Sequence, residues 1–103
     1  MDVLDQIKQT LSDNPVLLFM KGTPDFPQCG FSSQVAGIMK ECGKEFAFIN
    51  ILEHPEVREK LKEYAQWPTY PQLWINGELV GGCDIITQMY EQGQLQPMLD
   101  EAA

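Results

Sequence analysis

Cys29 stands in the stretch KGTPDFPQCGFS, residues 21–32, where a loop gives way to a segment with helical spacing; Ser32 occupies the position at which a second thiol would close a local disulfide. A sulfur at the start of a helix meets free backbone N–H groups and the positive end of the helix dipole, which favour its thiolate. Two chemistries suit it. The thiolate can attack a disulfide, and because Ser32 has no sulfur to resolve the product, an external thiol must release it. It can instead serve as a soft ligand to an iron–sulfur cluster whose other sulfurs come from outside the chain. A buried structural cysteine is the plain alternative, but the neighbours Pro27, Gln28 and Gly30 are loop and cap residues, not a core stripe.

Other residues can serve that sulfur or a ligand beside it. Lys21 ends the apolar run VLLFM, where it can meet a carboxylate or favour the thiolate, or simply be a solvated surface lysine. Arg58 offers a planar fork for a carboxylate, although Glu56, Glu59 and Glu63 nearby can equally make it an ion-pair partner. In WPTYPQL, residues 67–73, a cis bond before Pro71 would leave the backbone of Tyr70 free to pair with an extended peptide; two ordinary loop prolines are the alternative. GGCD, residues 81–84, reads as a second helix start, its glycines permitting close approach and Asp84 serving as a cap able to accept from an amine. Cys42 shares a helical face with Val35 and Ile38 and reads as core, and His54, the one histidine, has no neighbours at zinc-ligand spacing.

The elements that must position these groups follow from periodicity. Leu4, Ile7 and Leu11 predict a helix over 2–13 that stops at Asn14-Pro15, and residues 16–20 predict a buried strand. Gly22, Pro24 and Pro27 break the chain into a loop, after which a helix runs from Phe31 to a stop at Gly43. FAFINI, 46–51, predicts a strand buried on both faces and completes a parallel βαβ unit. Pro55 suits the first turn of a helix with Val57, Leu61 and Tyr64 on its apolar face, and QLWI-NG-ELV predicts a hairpin closed by a type I′ turn. A helix from about Asp84 to Glu91 and a short one after Gly93 end the chain. This order predicts one α/β domain over residues 1–103, with a four-stranded mixed sheet and helices on both faces, the arrangement of the thioredoxin fold.

Composition sets the limits. A chain of 103 residues suits one small core, and no apolar run approaches the roughly 20 residues of a membrane span. A formal charge of −8 without a Lys/Arg cluster argues against nucleic acid as partner. The acidic opening MDVLDQIKQT predicts no signal or transit segment, and three widely spaced cysteines form no disulfide framework, so a reduced protein is expected, cytoplasmic or in a compartment reached after processing.

KGTPDFPQCGFS, WPTYPQLWINGELVGGCD and the order of elements between them resemble the monothiol, CGFS-type glutaredoxins, close to bacterial single-domain members, over nearly the whole chain. CGFS alone is four letters; Lys21 ahead of it and GGCD downstream make the combination specific. The resemblance implies a glutathione site in which Lys21 and Arg58 hold the glycyl carboxylate, the backbone of Tyr70 pairs with the cysteinyl part, and Cys83 and Asp84 receive the γ-glutamyl end. Thr69 and Trp67 would shape the wall, and Tyr70 departs from the smaller aliphatic residue or phenylalanine associated with its place.

The same resemblance implies a [2Fe-2S] cluster bound through Cys29 between the two protomers of a homodimer. Such a cluster is handed on to iron–sulfur apoproteins in iron homeostasis, often with a BolA-like partner. The ligand count agrees, since four terminal thiolates are met by one from each of two chains and two from glutathione. Ser32 then reads as the absence of a competing disulfide. The alternative is a glutathione-dependent thiol–disulfide oxidoreductase that removes glutathione from proteins, with Cys29 as nucleophile, although the resemblance associates Ser32 and the insert TPDFP with poor turnover. A redox-regulated interaction module without a cluster is a third reading.

Overall fold

The computed structural model describes residues 2–102. Nine elements follow in the order α1 (Val3–Asp13), β1 (Val16–Met20), α2 (Gly30–Cys42), β2 (Ala47–Asn50), α3 (Pro55–Ala65), β3 (Gln72–Ile75), β4 (Glu78–Gly81), α4 (Cys83–Glu91) and α5 (Leu95–Asp100) among the described residues. The strands form one sheet in the order β2-β1-β3-β4, with β2 parallel to β1 and the other pairs antiparallel. This is the mixed sheet expected from the sequence.

Side-chain alternation along β1 divides the core. Leu17 and Phe19 face Ile7 and Leu11 of α1 and Val57 and Leu61 of α3, while Leu18 and Met20 face Val35 and Met39 of α2, Ile86 of α4, and Leu95 and Leu99 of α5. β1 is buried along its whole length because both faces are covered and both edges are paired. Its C-terminal end therefore cannot move independently of the sheet. Everything attached there, Lys21 first, inherits that rigidity.

Three local expectations are corrected. β2 covers 47–50, not 46–51, and is an edge strand with Phe48 42% exposed, because the crossover sets it outside β1 with no strand beyond it. Tyr64 does not enter the core; it lies half-exposed with its ring stacked on Trp74 at 5.9 Å between centroids. Asp84 is not a cap, since α4 starts at Cys83 and Gly82 holds the N-cap position. Asn76 and Gly77 take φ of 52° and 80°, as a type I′ turn requires. Asp2 caps α1 by accepting from the Asp5 N–H at 2.8 Å.

Candidate functional site

The loop between β1 and α2 closes on itself. Gly22 has φ 91°, and a Cβ there would lie 2.5 Å from the Phe26 carbonyl oxygen and 2.7 Å from the Gln28 nitrogen, so only glycine lets the turn close. Thr23 and Phe26 exchange backbone hydrogen bonds at 3.2 and 3.1 Å, and the Gln28 N–H donates to the Lys21 carbonyl at 2.9 Å. Asn50 Oδ1 accepts from the Gly22 N–H at 2.9 Å and fastens the loop to β2. The Lys40–Asp25 pair at 2.8 Å is exposed on both sides and adds little.

This closure delivers Cys29 to the N-cap of α2 in extended conformation, with no side-chain hydrogen bond capping the helix. The Ser32 N–H favours negative charge on the sulfur most, burial opposes it, and the Phe31 N–H, the Ser32 hydroxyl and the Lys21 ammonium add to the first effect. The thiol pKa is held below its ordinary value. Ser32 is itself fully buried, and its Oγ accepts from the Lys21 N–H at 3.0 Å, so one hydroxyl joins the strand end to the helix that carries the thiol.

A second wall comes from residues 67–71. Tyr70-Pro71 is cis. Gln72, fully buried, donates through Nε2 to the Trp67 and Thr69 carbonyls at 3.2 Å each and accepts from Trp74 Nε1 at 3.1 Å, supplying partners that a loop lacks. Burial pushes the Tyr70 phenol up to about 12, the Arg58 charge opposing. The third wall is the start of α4. A Cβ on Gly82 would stand 3.2 Å from the Pro71 carbonyl oxygen and 3.4 Å from Trp67 Nε1, an indole nitrogen that is buried without a hydrogen-bond partner.

Between these walls lies a groove of about 580 Å³. Lys21, Cys29, Arg58, Thr69, Tyr70, Cys83 and Asp84 all line it, so the structure brings together every site residue expected from the sequence, with Trp67 among them. A larger depression of about 790 Å³ at the other end of β1, beside Val16, Met39 and Phe46, contains no thiol. Chemistry, not size, selects the smaller one.

Glu56 lies 3.8 Å from His54 Nδ1, Glu59 pairs with Lys62 at 3.1 Å and Glu63 with Lys60 at 3.9 Å. Among the described residues Arg58 therefore has no ion-pair partner and is turned to the groove. Lys21 is half-buried there, not a solvated surface lysine. Sequence reasoning missed Lys62, Phe31 and Ile85, which also line the groove. Lys62 was legible as the i+4 neighbour of Arg58 on the same helix face. Cys42 is core as expected, its thiol raised first by burial and then by the Asp100 and Glu41 carboxylates.

The Glutaredoxin family model matches residues 16–80, more than half of the chain. The chain belongs to the glutaredoxin family. With Ser32 in place of a second motif thiol, it is a monothiol glutaredoxin. It is 52% identical to Glutaredoxin 4 of Pasteurella multocida, over 100% of this chain and 94% of that protein. Reduced apo GrxS14 of poplar shares 46% identity and superposes with a TM-score of 0.82, covering 96% of this chain and 91% of that one. A buckwheat glutaredoxin solved as a glutathione complex shares 26% identity with a TM-score of 0.84, over 96% and 88% of the two chains. The architecture is the thioredoxin/glutaredoxin fold.

Proposed function

We propose that this glutaredoxin binds glutathione in the groove and, with Cys29 and a second copy of itself, carries a [2Fe-2S] cluster to iron–sulfur apoproteins in the cytoplasm. The observation that carries the reading is the convergence of a thiolate-prone Cys29, groove-facing cations and the N-terminus of α4 in one cleft. Lys21 and Arg58 suit the glycyl carboxylate, with Lys62, paired to Glu59 at 3.1 Å, lining the same groove. The N–H groups at the start of α4 suit the γ-glutamyl carboxylate, and the Asp84 carboxylate its amine. The Tyr70 backbone and Thr69 form the wall along which the cysteinyl part would lie.

The donor set fits the cluster as shared cargo. Among the described residues no three His, Cys, Asp or Glu side chains gather into a metal cage, whereas Cys29 offers one soft thiolate at the groove. A [2Fe-2S] cluster takes four such ligands, which supports two chains and two glutathiones. A BolA-like protein is the expected alternative partner.

Anaerobic reconstitution with iron, sulfide and glutathione tests this: a coloured dimer should form by visible absorbance and size-exclusion chromatography, and a small monothiol in place of glutathione should support it less well. A coloured monomer, or a cluster indifferent to glutathione, would refute the carrier reading. The lowered Cys29 thiol also favours attack on mixed disulfides. If no cluster forms while glutathionylated protein is reduced rapidly, the oxidoreductase reading takes its place.

A further inference from the structure

Tyr70 reaches two sides of the groove at once. Its backbone lies in the 67–71 wall, and its ring turns back into the core among Val57, Leu61 and Trp74. At the end of that ring the hydroxyl donates to the Arg58 carbonyl oxygen at 2.8 Å. In an α-helix that carbonyl also accepts from the N–H four residues on, which is Lys62. The peptide group that Tyr70 grips therefore lies between the two α3 residues whose cationic side chains line the groove.

We propose that the Tyr70 hydroxyl is a positioning group, tying α3 to the 67–71 wall so that Arg58 stands at the separation from that wall which a glutathione carboxylate requires. The wall end of the tie is fixed, because Gln72 holds the Trp67 and Thr69 carbonyls from behind and is held in turn by Trp74. At the helix end the Trp67 N–H donates to the Lys62 carbonyl at 3.2 Å, which fixes the last turn of α3, and the Tyr70 hydroxyl adds the link one turn earlier, at Arg58. The phenol stays protonated and donating across the neutral range, with its pKa pushed up to about 12. A phenylalanine would fill the same space without making the bond, so the device rests on a single oxygen atom.

The inference rests on the glutathione reading above, and the test separates the two. Glutathione affinity is measured by calorimetry on the full chain for wild type, Tyr70→Phe, Arg58→Met, Lys21→Met and the double variants pairing Tyr70→Phe with each. Tyr70→Phe should weaken binding about three- to tenfold, the range of one hydrogen bond. That loss should shrink to less than half in the Arg58→Met background and persist in full in the Lys21→Met background, because only Arg58 is held through the hydroxyl. Tyr64→Phe, which removes an exposed hydroxyl from the same helix, serves as control and should leave affinity unchanged.

A structural role alone would lower the melting temperature of Tyr70→Phe and leave the two cycles alike. Equal losses in both backgrounds, or unchanged affinity in Tyr70→Phe, would overturn the proposal while leaving the glutathione site standing. No binding by the wild-type chain would remove the site, and this inference with it.

Discussion

Two helices open on the groove with the same two residues in opposite order. Cys29-Gly30 starts α2 with cysteine at the N-cap, whereas Gly82-Cys83 starts α4 with glycine at the N-cap and cysteine as the first helical residue. At α2 the sulfur lies ahead of the first-turn N–H groups, which lower its pKa. At α4 the sulfur has passed alongside the helix, 4.0 Å from Thr87 Oγ1, and no side chain claims the N–H groups from the cap. A shift of one residue thus separates a helix that activates its own thiol from one whose N-terminal N–H groups no side chain caps.

The two junctions should differ most at their thiols. Cys29→Ser is expected to abolish cluster absorbance and fast alkylation, while Cys83→Ser keeps both; retained absorbance in Cys29→Ser would reverse the roles given to the two junctions. Charge reversal at the cationic end should come next. Lys21→Glu and Arg58→Glu should each weaken glutathione binding by about 1.5 to 3 kcal/mol, tenfold or more, as a charge-assisted contact becomes repulsion. Calorimetry showing no change in either variant would place the ligand elsewhere.

Gly82→Ala perturbs the α4 side of the groove. Its backbone angles suit alanine, but the new methyl would meet the Pro71 carbonyl and Trp67 indole at 3.2 and 3.4 Å, narrowing the wall. Glutathione affinity should fall by about 1 kcal/mol, at the low end of overpacking costs; Gly30→Ala, where nothing lies within 4 Å, should leave it unchanged. The smallest effect is in pH dependence. A lowered pKa means that thiolate develops at lower pH, so iodoacetamide should modify Cys29 with a midpoint below that of a free cysteine, and Cys42, raised by burial, only above it. Coincident profiles in single-cysteine variants would contradict the N-cap account.

The sheet and the loop-to-helix placement of Cys29 were legible because each depends on local pattern: an apolar run for β1, prolines and glycines for the loop, Asn76-Gly77 for the hairpin; the membership of the groove came from the resemblance to the family. What stayed hidden depends on tertiary partners. FAFINI reads as a doubly buried strand, yet its place at the edge is set by the crossover. Gln72 looks like one polar residue in a strand, and only the folded chain shows its amide holding two loop carbonyls. Ser32 reads as a missing thiol, while its hydroxyl has a partner of its own in the Lys21 N–H. Asp84 looks like a cap because glycines precede it, but the helix begins one residue earlier.

The closed loop over Gly22–Pro27 also bears on how fast ligands engage. Its backbone exchanges at Thr23 and Phe26, the Gln28 link to Lys21 and the Asn50 fastening are made within the chain. The rim beside the thiol is therefore ordered before any encounter, and association carries no loop-folding step. Glutathione capture should then show single-exponential kinetics in stopped flow, with an observed rate linear in ligand concentration and no concentration-independent plateau from conformational gating.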